Sequence, residues 1–347
     1  MSEASVAGIS DRATHPRLSS QLNQVVERLF ATRRSEADNL MTIKWLADEG
    51  ETTSNHPLRF RQLLAGTPAT AVAGAYDGMS ALLAKEAGFQ ALYLSGAALS
   101  ASKAMPDLGL LTLEDVWHAS REIVRASDLP LIVDCDTGFG EALNVMRAVR
   151  ELEDVGVACI QIEDQQFPKK CGHLNDKRVV STDDMCRKIA AARKASRNMV
   201  ICARTDAGFI STEESIARAN RYAEAGADVI FVEALESPKV IRQVRREVKA
   251  PLLANMTEFG HTPATSVDGW TEYGYELVIF PVSAFRVASK AMERFYASLM
   301  KHGDVNEFLP EMMPRAELYE NIQYYEYEAL DSTIARTVLA PCQKTND

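Results

Sequence analysis

The sequence predicts a (β/α)8 barrel, and three observations carry that reading. From about Ala69 onward, short apolar runs alternate with stretches of helical periodicity, and there are eight such runs. The helical stretches open on Ser/Thr followed by Asp/Glu and close near Gly88, Gly156 and Gly226, the start and stop signals of short helices. The 347 residues, 46% of them hydrophobic, suffice for one large α/β barrel or two ordinary domains. Eight repeats of strand then helix over roughly 200–250 residues favour the closed parallel barrel. A doubly wound open sheet is the alternative architecture.

In chain order, residues 1–55 read as a polar, turn-rich extension interrupted by Gly50. Within it Leu18, Leu22, Val25, Val26 and Leu29 fall at helical spacing and predict a helix over Leu18 to Phe30. Five arginines there suit a mitochondrial transit peptide, but Glu3, Asp11, Glu27, Glu36 and Asp38 do not, and Met41 reads naturally as a protein start. The catalytic barrel is expected over 56–300. Its strands are predicted at Thr70–Ala73, Ala91–Leu94, Leu131–Asp134, Cys159–Ile162, Val200–Ala203, Val229–Val232, Leu252–Ala254 and Leu277–Phe280. Helices are predicted at Gly78–Ala87, Leu113–Ala126, Leu143–Asp154, Thr182–Ala195, Thr212–Ala225 and Pro238–Val248, with a long one from Ser283 to Met300. Residues 301–347 read as a further helical segment from near Arg315. Its Tyr- and Leu-rich faces need cover, which predicts a homo-oligomer.

The formal net charge of -10 and the pI near 5.3 argue against nucleic acid or an anionic membrane as a main partner. The six cysteines form no CxxC pair, which points to a reducing compartment without structural disulfides or a thiolate zinc site. No apolar run approaches the roughly 18–20 residues of a membrane span, so the expected location is cytoplasmic.

Barrel enzymes assemble their chemistry where strands end, and here those ends are polar. They carry Ser95, Asp134 with Asp136, Glu163, Arg204 with Asp206, Glu233, Asn255, and Ser283 with Arg286. Strand alternation sends Asp134 and Asp136 to one side, and two converging carboxylates call for a cation. All-oxygen donors without nearby His or Cys ligands favour Mg2+. A helix cap or an arginine partner is the other reading of the pair. Arg204, Arg286 and Arg315 are candidate carboxylate clamps, since a guanidinium fork matches a carboxylate. Ser95-Gly96-Ala97-Ala98 offers a hydroxyl and backbone N–H groups to an anion, with Tyr93 on the face of Ser95. After Glu163 a polar loop presents Lys169-Lys170-Cys171-Gly172-His173. Cationic neighbours lower a thiol pKa, which suits Cys171 to act as nucleophile or proton donor. An ordinary free thiol on a solvated loop is the bland alternative.

These residues carry a resemblance. KKCGH at 169–173, Asp134-Cys135-Asp136-Thr137-Gly138-Phe139-Gly140 and Ala203-Arg204-Thr205-Asp206 are similar to the isocitrate lyase and phosphoenolpyruvate mutase superfamily, and within it most resemble the bacterial 2-methylisocitrate lyases. Further matching stretches are Pro106-Asp107-Leu108-Gly109, Asn255-Met256-Thr257-Glu258-Phe259-Gly260, Pro281-Val282-Ser283-Ala284-Phe285-Arg286 and Glu317-Leu318-Tyr319-Glu320, so the likeness runs from about Leu58 to Thr337. The mutases lack the cysteine loop, and isocitrate lyases proper are much longer. One departure is Ala97, where many members have a second glycine.

The resemblance implies a TIM barrel with a terminal helix exchanged between subunits, commonly in a homotetramer, and Mg2+ near Asp134 and Asp136. It implies cleavage of 2-methylisocitrate to succinate and pyruvate in propionate catabolism (the methylcitrate cycle), with a di- or tricarboxylate as the small-molecule partner. Cys171 would deliver a proton, His173 and Glu163 would set its state, and Tyr93 would take the substrate's hydroxyl proton. Ser95, Gly96, Ala97, Gly172, Arg204, Glu233, Asn255, Met256, Thr257, Arg286 and Arg315 become expected substrate contacts. Superfamily relatives acting on 2,3-dimethylmalate, oxaloacetate or isocitrate remain open alternatives. So does a catalytically silent barrel, although none of the motif carboxylates or the thiol is missing.

Overall fold

The computed structural model describes residues 46, 55–170, 172 and 176–334. Eight parallel strands close into a barrel in sequential order: β1 (Thr70–Gly74), β2 (Leu92–Leu94), β3 (Leu131–Asp134), β4 (Cys159–Glu163), β5 (Val200–Thr205), β6 (Val229–Val232), β7 (Leu252–Asn255) and β8 (Leu277–Phe280). β8 pairs with β1 through Thr70–Leu277 to Ala73–Phe280, which closes the ring and excludes the open sheet. The expected helix over Leu18–Phe30 and the start at Met41 lie outside the described residues.

Alternation along each strand sorts side chains between two cores. Val72, Tyr93, Ile132, Cys159, Cys202, Phe231, Leu253 and Ile279 fill the barrel interior, while Leu92, Val133, Ile160, Ile201 and Ile230 pack outward against the helices. Strands buried on both faces read as continuous apolar runs, which is why they stand out in the sequence. Hydroxyl side chains start the helices as the sequence predicts. Thr112, Ser181 and Ser211 accept from the N–H groups of Asp115 (3.2 Å), Asp184 (3.1 Å) and Glu214 (3.0 Å), each cap contributing about 1 kcal/mol.

Two elements follow different rules. Gly96–Ser102 is a short helix after β2, capped by Ser95 and lacking a periodic apolar face for the sequence to reveal. Ser283–His302, 20 residues long, contains no buried residue and exposes Val287, Met292, Tyr296 and Met300. The outward positions of β1 beside it, Ala71 and Ala73, are only half-buried. Residues 53–314 form one compact unit, and the helices Arg315–Asn321 and Tyr324–Thr333 belong to another, in which Tyr319 stacks on Tyr324 at 4.3 Å.

Candidate active site

The interior ladder of the barrel changes chemistry at its C-terminal end. Two residues beyond Tyr93, Ile132, Phe231 and Leu253 on the same faces stand Ser95, Asp134, Glu233 and Asn255, and above Cys159 and Cys202 come Gln161 with Glu163 and Arg204. Ser95, Asp134, Glu163, Arg204, Glu233 and Asn255, together with Ala97, Asp107, Lys169, Gly172, Thr257 and Arg286, line a cavity of about 280 Å³, walled on the apolar side by Phe231, Ile279, Val282 and Phe285.

Asp134 and Asp136 converge as expected, but through a turn rather than a continuing pleat. β3 ends at Asp134, and Asp136 takes a left-handed φ of 48°. A Cβ added at Gly96 would lie 3.1 Å from Asp134 Oδ2 and 3.3 Å from Asp136 Oδ1, so both carboxylates face one small volume. The Gly96 N–H already donates to Asp134 Oδ2 (3.1 Å), and Gln161 Nε2 and the Asp136 N–H donate to Asp134 Oδ1 (both 3.2 Å). Asp134 lines the cavity, whereas Asp136 borders a neighbouring hollow of about 710 Å³. Burial pushes the Asp136 carboxyl up to about 6, against the pull of Lys169.

Lys169, expected as a cationic neighbour of the thiol, is buried, with Nζ 2.7 Å from Asp136 Oδ1 and a second ion pair to Asp107 that the sequence does not reveal. Burial opposes its charge, but Asp136, Asp134, Glu163 and Asp107 outweigh it and hold the ammonium above the usual lysine range.

On the facing wall Arg204 is clamped by carboxylates. Nε and Nη2 donate to Asp206 Oδ2 (2.9 Å) and Oδ1 (3.0 Å), Nη2 lies 3.1 Å from Glu233 Oε2, and Nε lies 3.4 Å from Glu163 Oε2. The guanidinium also stacks over Phe231 at 5.0 Å. Glu163 Oε1 is buried and makes no hydrogen bond among the described residues, and burial pushes this carboxyl well above its ordinary range despite Arg204. Glu233 accepts from Asn255 Nδ2 (3.3 Å) and from the Ala234 N–H (2.9 Å). Tyr93 donates to Gln161 Oε1 at 2.6 Å, and burial, with Asp134 adding, pushes its phenol well above the ordinary value.

Of the expected contacts, Met256 and Arg315 do not line the cavity, while Ser95 and Arg286 line it with polar atoms already engaged. Ser95 Oγ caps the N–H of Ala98 (3.4 Å). Met256 packs into the outer core and its N–H donates to Ile279 O (2.9 Å), so its side chain does not line the space. Arg286 is at the exposed rim, held by Glu258 Oε2 (2.8 Å) and Glu258 O (2.9 Å). Arg315 is exposed at the start of the helix Arg315–Asn321, in the other unit. Cys171 and His173 lie outside the described residues. Gly172 between them does not: a Cβ there would sit 2.3 Å from Arg204 Nη2 and 2.4 Å from Glu233 Cγ, so the loop's backbone packs directly on the clamp.

The donor set fits a hard divalent cation. Among the described residues no three His, Cys, Asp or Glu side chains gather as a complete metal cage, but Mg2+ is ordinarily held by one or two carboxylates with water and substrate oxygens. The charge balance points the same way. Of the buried groups here, the carboxyls of Asp134, Asp136, Glu163, Asp206 and Glu233 outnumber the cationic side chains among the described residues that pair with them, Lys169, Arg204 and Lys177, so added positive charge would ease the entry of an anionic substrate.

The phosphoenolpyruvate phosphomutase family model matches residues 60–300. A 2-methylisocitrate lyase of Bacillus subtilis (strain 168) is 47% identical over 298 residues, 86% of this chain and 99% of that protein. The crystal structure of a 2,3-dimethylmalate lyase, a PEP mutase/isocitrate lyase superfamily member, superposes with a TM-score of 0.75 at 36% identity, covering 82% of this chain and 96% of that one. A phosphonopyruvate hydrolase in complex with oxalate and Mg2+ superposes with a TM-score of 0.74 at 29% identity, covering 82% of this chain and 100% of that one. With a closed barrel, a polar upper layer and these matches in hand, the chain belongs to the phosphoenolpyruvate mutase/isocitrate lyase family, as a carbon–carbon lyase.

Proposed function

We propose that the protein cleaves 2-methylisocitrate to succinate and pyruvate with Mg2+, in propionate catabolism. The observation that carries the proposal is the convergence of Asp134 and Asp136 on Gly96, opposite an Arg204 held rigid by Asp206. Similarity to 2-methylisocitrate lyases supplies the substrate.

Asp134 and Asp136 would hold the metal, whose Lewis acidity would stabilise negative charge on the substrate's hydroxyl oxygen. The hydroxyl proton leaves, the hydroxyl-bearing carbon becomes the carbonyl of pyruvate, and the electron pair of the broken C–C bond passes to an enolate-like succinate fragment. Arg204 and Asn255 offset that charge, and Cys171 returns a proton to the carbon. His173 and Glu163 set the state of the thiol. Glu163 has a buried oxygen without a hydrogen bond among the described residues, and burial shifts its carboxyl toward the protonated form, which suits a group that exchanges protons. Tyr93 takes the hydroxyl proton in this scheme as a phenolate, the phenol proton that it donates to Gln161 at rest having first passed to solvent in the cavity that it lines. Ser95, Gly96, Ala97, Gly172, Glu233, Thr257, Arg286 and Arg315 are proposed as substrate contacts. Thr257, Arg286 and Arg315 favour a tricarboxylate over 2,3-dimethylmalate, since a third carboxylate needs a further partner.

The assembly proposed is a cytoplasmic homotetramer with exchanged terminal helices. Its support is the absence of any buried residue along Ser283–His302 and the half-open outer side of β1. Among the described residues no helix is long and apolar enough to cross a membrane.

The test is pyruvate release from 2-methylisocitrate with and without Mg2+, beside isocitrate, 2,3-dimethylmalate and oxaloacetate. Metal-dependent release highest on 2-methylisocitrate and abolished by Cys171→Ser is expected. Faster turnover of one of the other three would reassign the substrate.

A further inference from the structure

Gln161 is fully buried, two residues before Glu163 on the inward face of β4, and both ends of its amide are engaged. Its Nε2 donates to Asp134 Oδ1 at 3.2 Å, and its Oε1 accepts from Tyr93 Oη at 2.6 Å. Gln161 is also the β4 partner of Asp134 in register, so the three side chains rise from the adjoining strands β2, β3 and β4.

The chemistry of its neighbours decides which way the amide faces. Asp134 also takes the N–H groups of Gly96 (3.1 Å) and Asp136 (3.2 Å), and a carboxylate only accepts. The amide NH2 therefore faces Asp134, which leaves the carbonyl oxygen for Tyr93. A carbonyl likewise only accepts, so the phenol has to donate to it. With its O–H committed inside the barrel wall, Tyr93 offers the cavity that it lines oxygen lone pairs and no proton. Loss of the phenol proton leaves that offer unchanged, since a phenolate accepts too.

We infer that Gln161 is a specificity-determining residue: by pinning the O–H of Tyr93 it makes the cavity select 2-hydroxy acids over 2-oxo acids. A substrate hydroxyl donates to the lone pair of Tyr93. A carbonyl oxygen in the same place sets acceptor against acceptor and leaves a buried group unsatisfied. The same contact bears on release, because cleavage turns the hydroxyl into the carbonyl of pyruvate, which Tyr93 no longer holds once its proton is back on Gln161. The inference deepens the proposed function and rests on its placing of the substrate hydroxyl at Tyr93.

The test measures binding to the full-length protein by isothermal titration calorimetry with Mg2+ present. The probes are the two enantiomers of 2-hydroxyglutarate and 2-oxoglutarate, which differ only in the oxygen on the second carbon. Wild type is expected to bind one enantiomer of 2-hydroxyglutarate at least about 10-fold more tightly than 2-oxoglutarate, the worth of one satisfied hydrogen bond. Gln161→Leu, which removes the acceptor, should bring the hydroxy and oxo probes to comparable affinity. Gln161→Glu keeps an acceptor facing Tyr93 and should restore the preference, an outcome that a merely structural role would not produce. Tyr93→Phe should abolish it, which assigns the contact to Oη. Equal affinities in wild type, no binding of 2-hydroxyglutarate, or an unchanged preference in Gln161→Leu would overturn the inference. Should Gln161→Leu fail to fold, Gln161→Met removes the amide acceptor equally. Binding is read without turnover, so a protein that leaves 2-methylisocitrate intact but keeps the preference would refute the substrate proposal and uphold this one.

Discussion

Adding one methyl group at Gly172 tests whether the loop backbone and the guanidinium clamp are in the contact described. The alanine Cβ would lie 2.3 Å from Arg204 Nη2, whereas ordinary contact begins near 3.4 Å, so something must move by about 1.1 Å. A free arginine end would swing aside at little cost. Arg204 cannot, because Nη2 is bonded to Asp206 Oδ1 at 3.0 Å and lies 3.1 Å from Glu233 Oε2. Retreat by Glu233 is blocked as well, its Cγ being 2.4 Å from the added carbon. Either the clamp is displaced or the loop lifts away, and both separate the groups that act on the substrate. Overpacking of this kind costs about 1–3 kcal/mol of stability, and a displacement of about 1 Å at reacting groups costs on the order of 10²-fold in kcat. Steady-state pyruvate release with thermal denaturation measures both. Gly88→Ala is the control: its Cβ meets nothing within 4 Å, although its φ of 93° strains any side chain. Wild-type kcat in Gly172→Ala would refute the close approach of loop and clamp.

Three further outcomes are expected. Asp206→Asn should lower stability at neutral pH. The native carboxyl titrates below its unfolded value, so its contribution is complete above the unfolded pKa of about 3.9 and is lost as pH falls through the folded one; melting temperatures of the two proteins should therefore converge in acid, and a gap that widens there would contradict the sign. Tyr222→Phe removes a donor to the buried Asp164 at 2.8 Å and should cost about 1.5–3 kcal/mol in urea unfolding; an unchanged midpoint would count against the network. Paired Tyr296→Glu and Met300→Glu substitutions on the exposed face of Ser283–His302 should shift sedimentation toward smaller species, and an unaltered profile would exclude that face from assembly.

The fold was legible because barrel strands are buried on both sides, so runs such as Leu131–Val133 and Val229–Val232 carry a signal that needs no tertiary knowledge. The apolar runs end one or two residues short of the strands at β4, β5 and β7, where Glu163, Arg204 with Thr205, and Asn255 continue the strand. Polarity looks like a loop in one dimension and is an active-site layer in three. The same layer made Asp134, Glu163, Arg204 and Glu233 visible as candidates. Asp107 and Lys169 were not, since neither ends a strand and their meeting joins positions 62 residues apart. Asp164 was invisible for a subtler reason. One residue past Glu163, it faces outward to Arg218 and Tyr222 on the helix Thr212–Glu224, and nothing local separates an anchoring aspartate from a solvated one.

The direct pairing of Glu163 with Arg204 across β4 and β5 makes activity a report on strand alignment. A slip of one residue exchanges the two faces of a strand, turning Asp164 or Thr205 inward and carrying Glu163 or Arg204 into the apolar outer core. A chain so misaligned would retain its secondary structure and lose its chemistry altogether. Specific activity in a refolded preparation therefore measures the fraction of molecules whose fourth and fifth strands found each other in register, a quantity that circular dichroism cannot resolve.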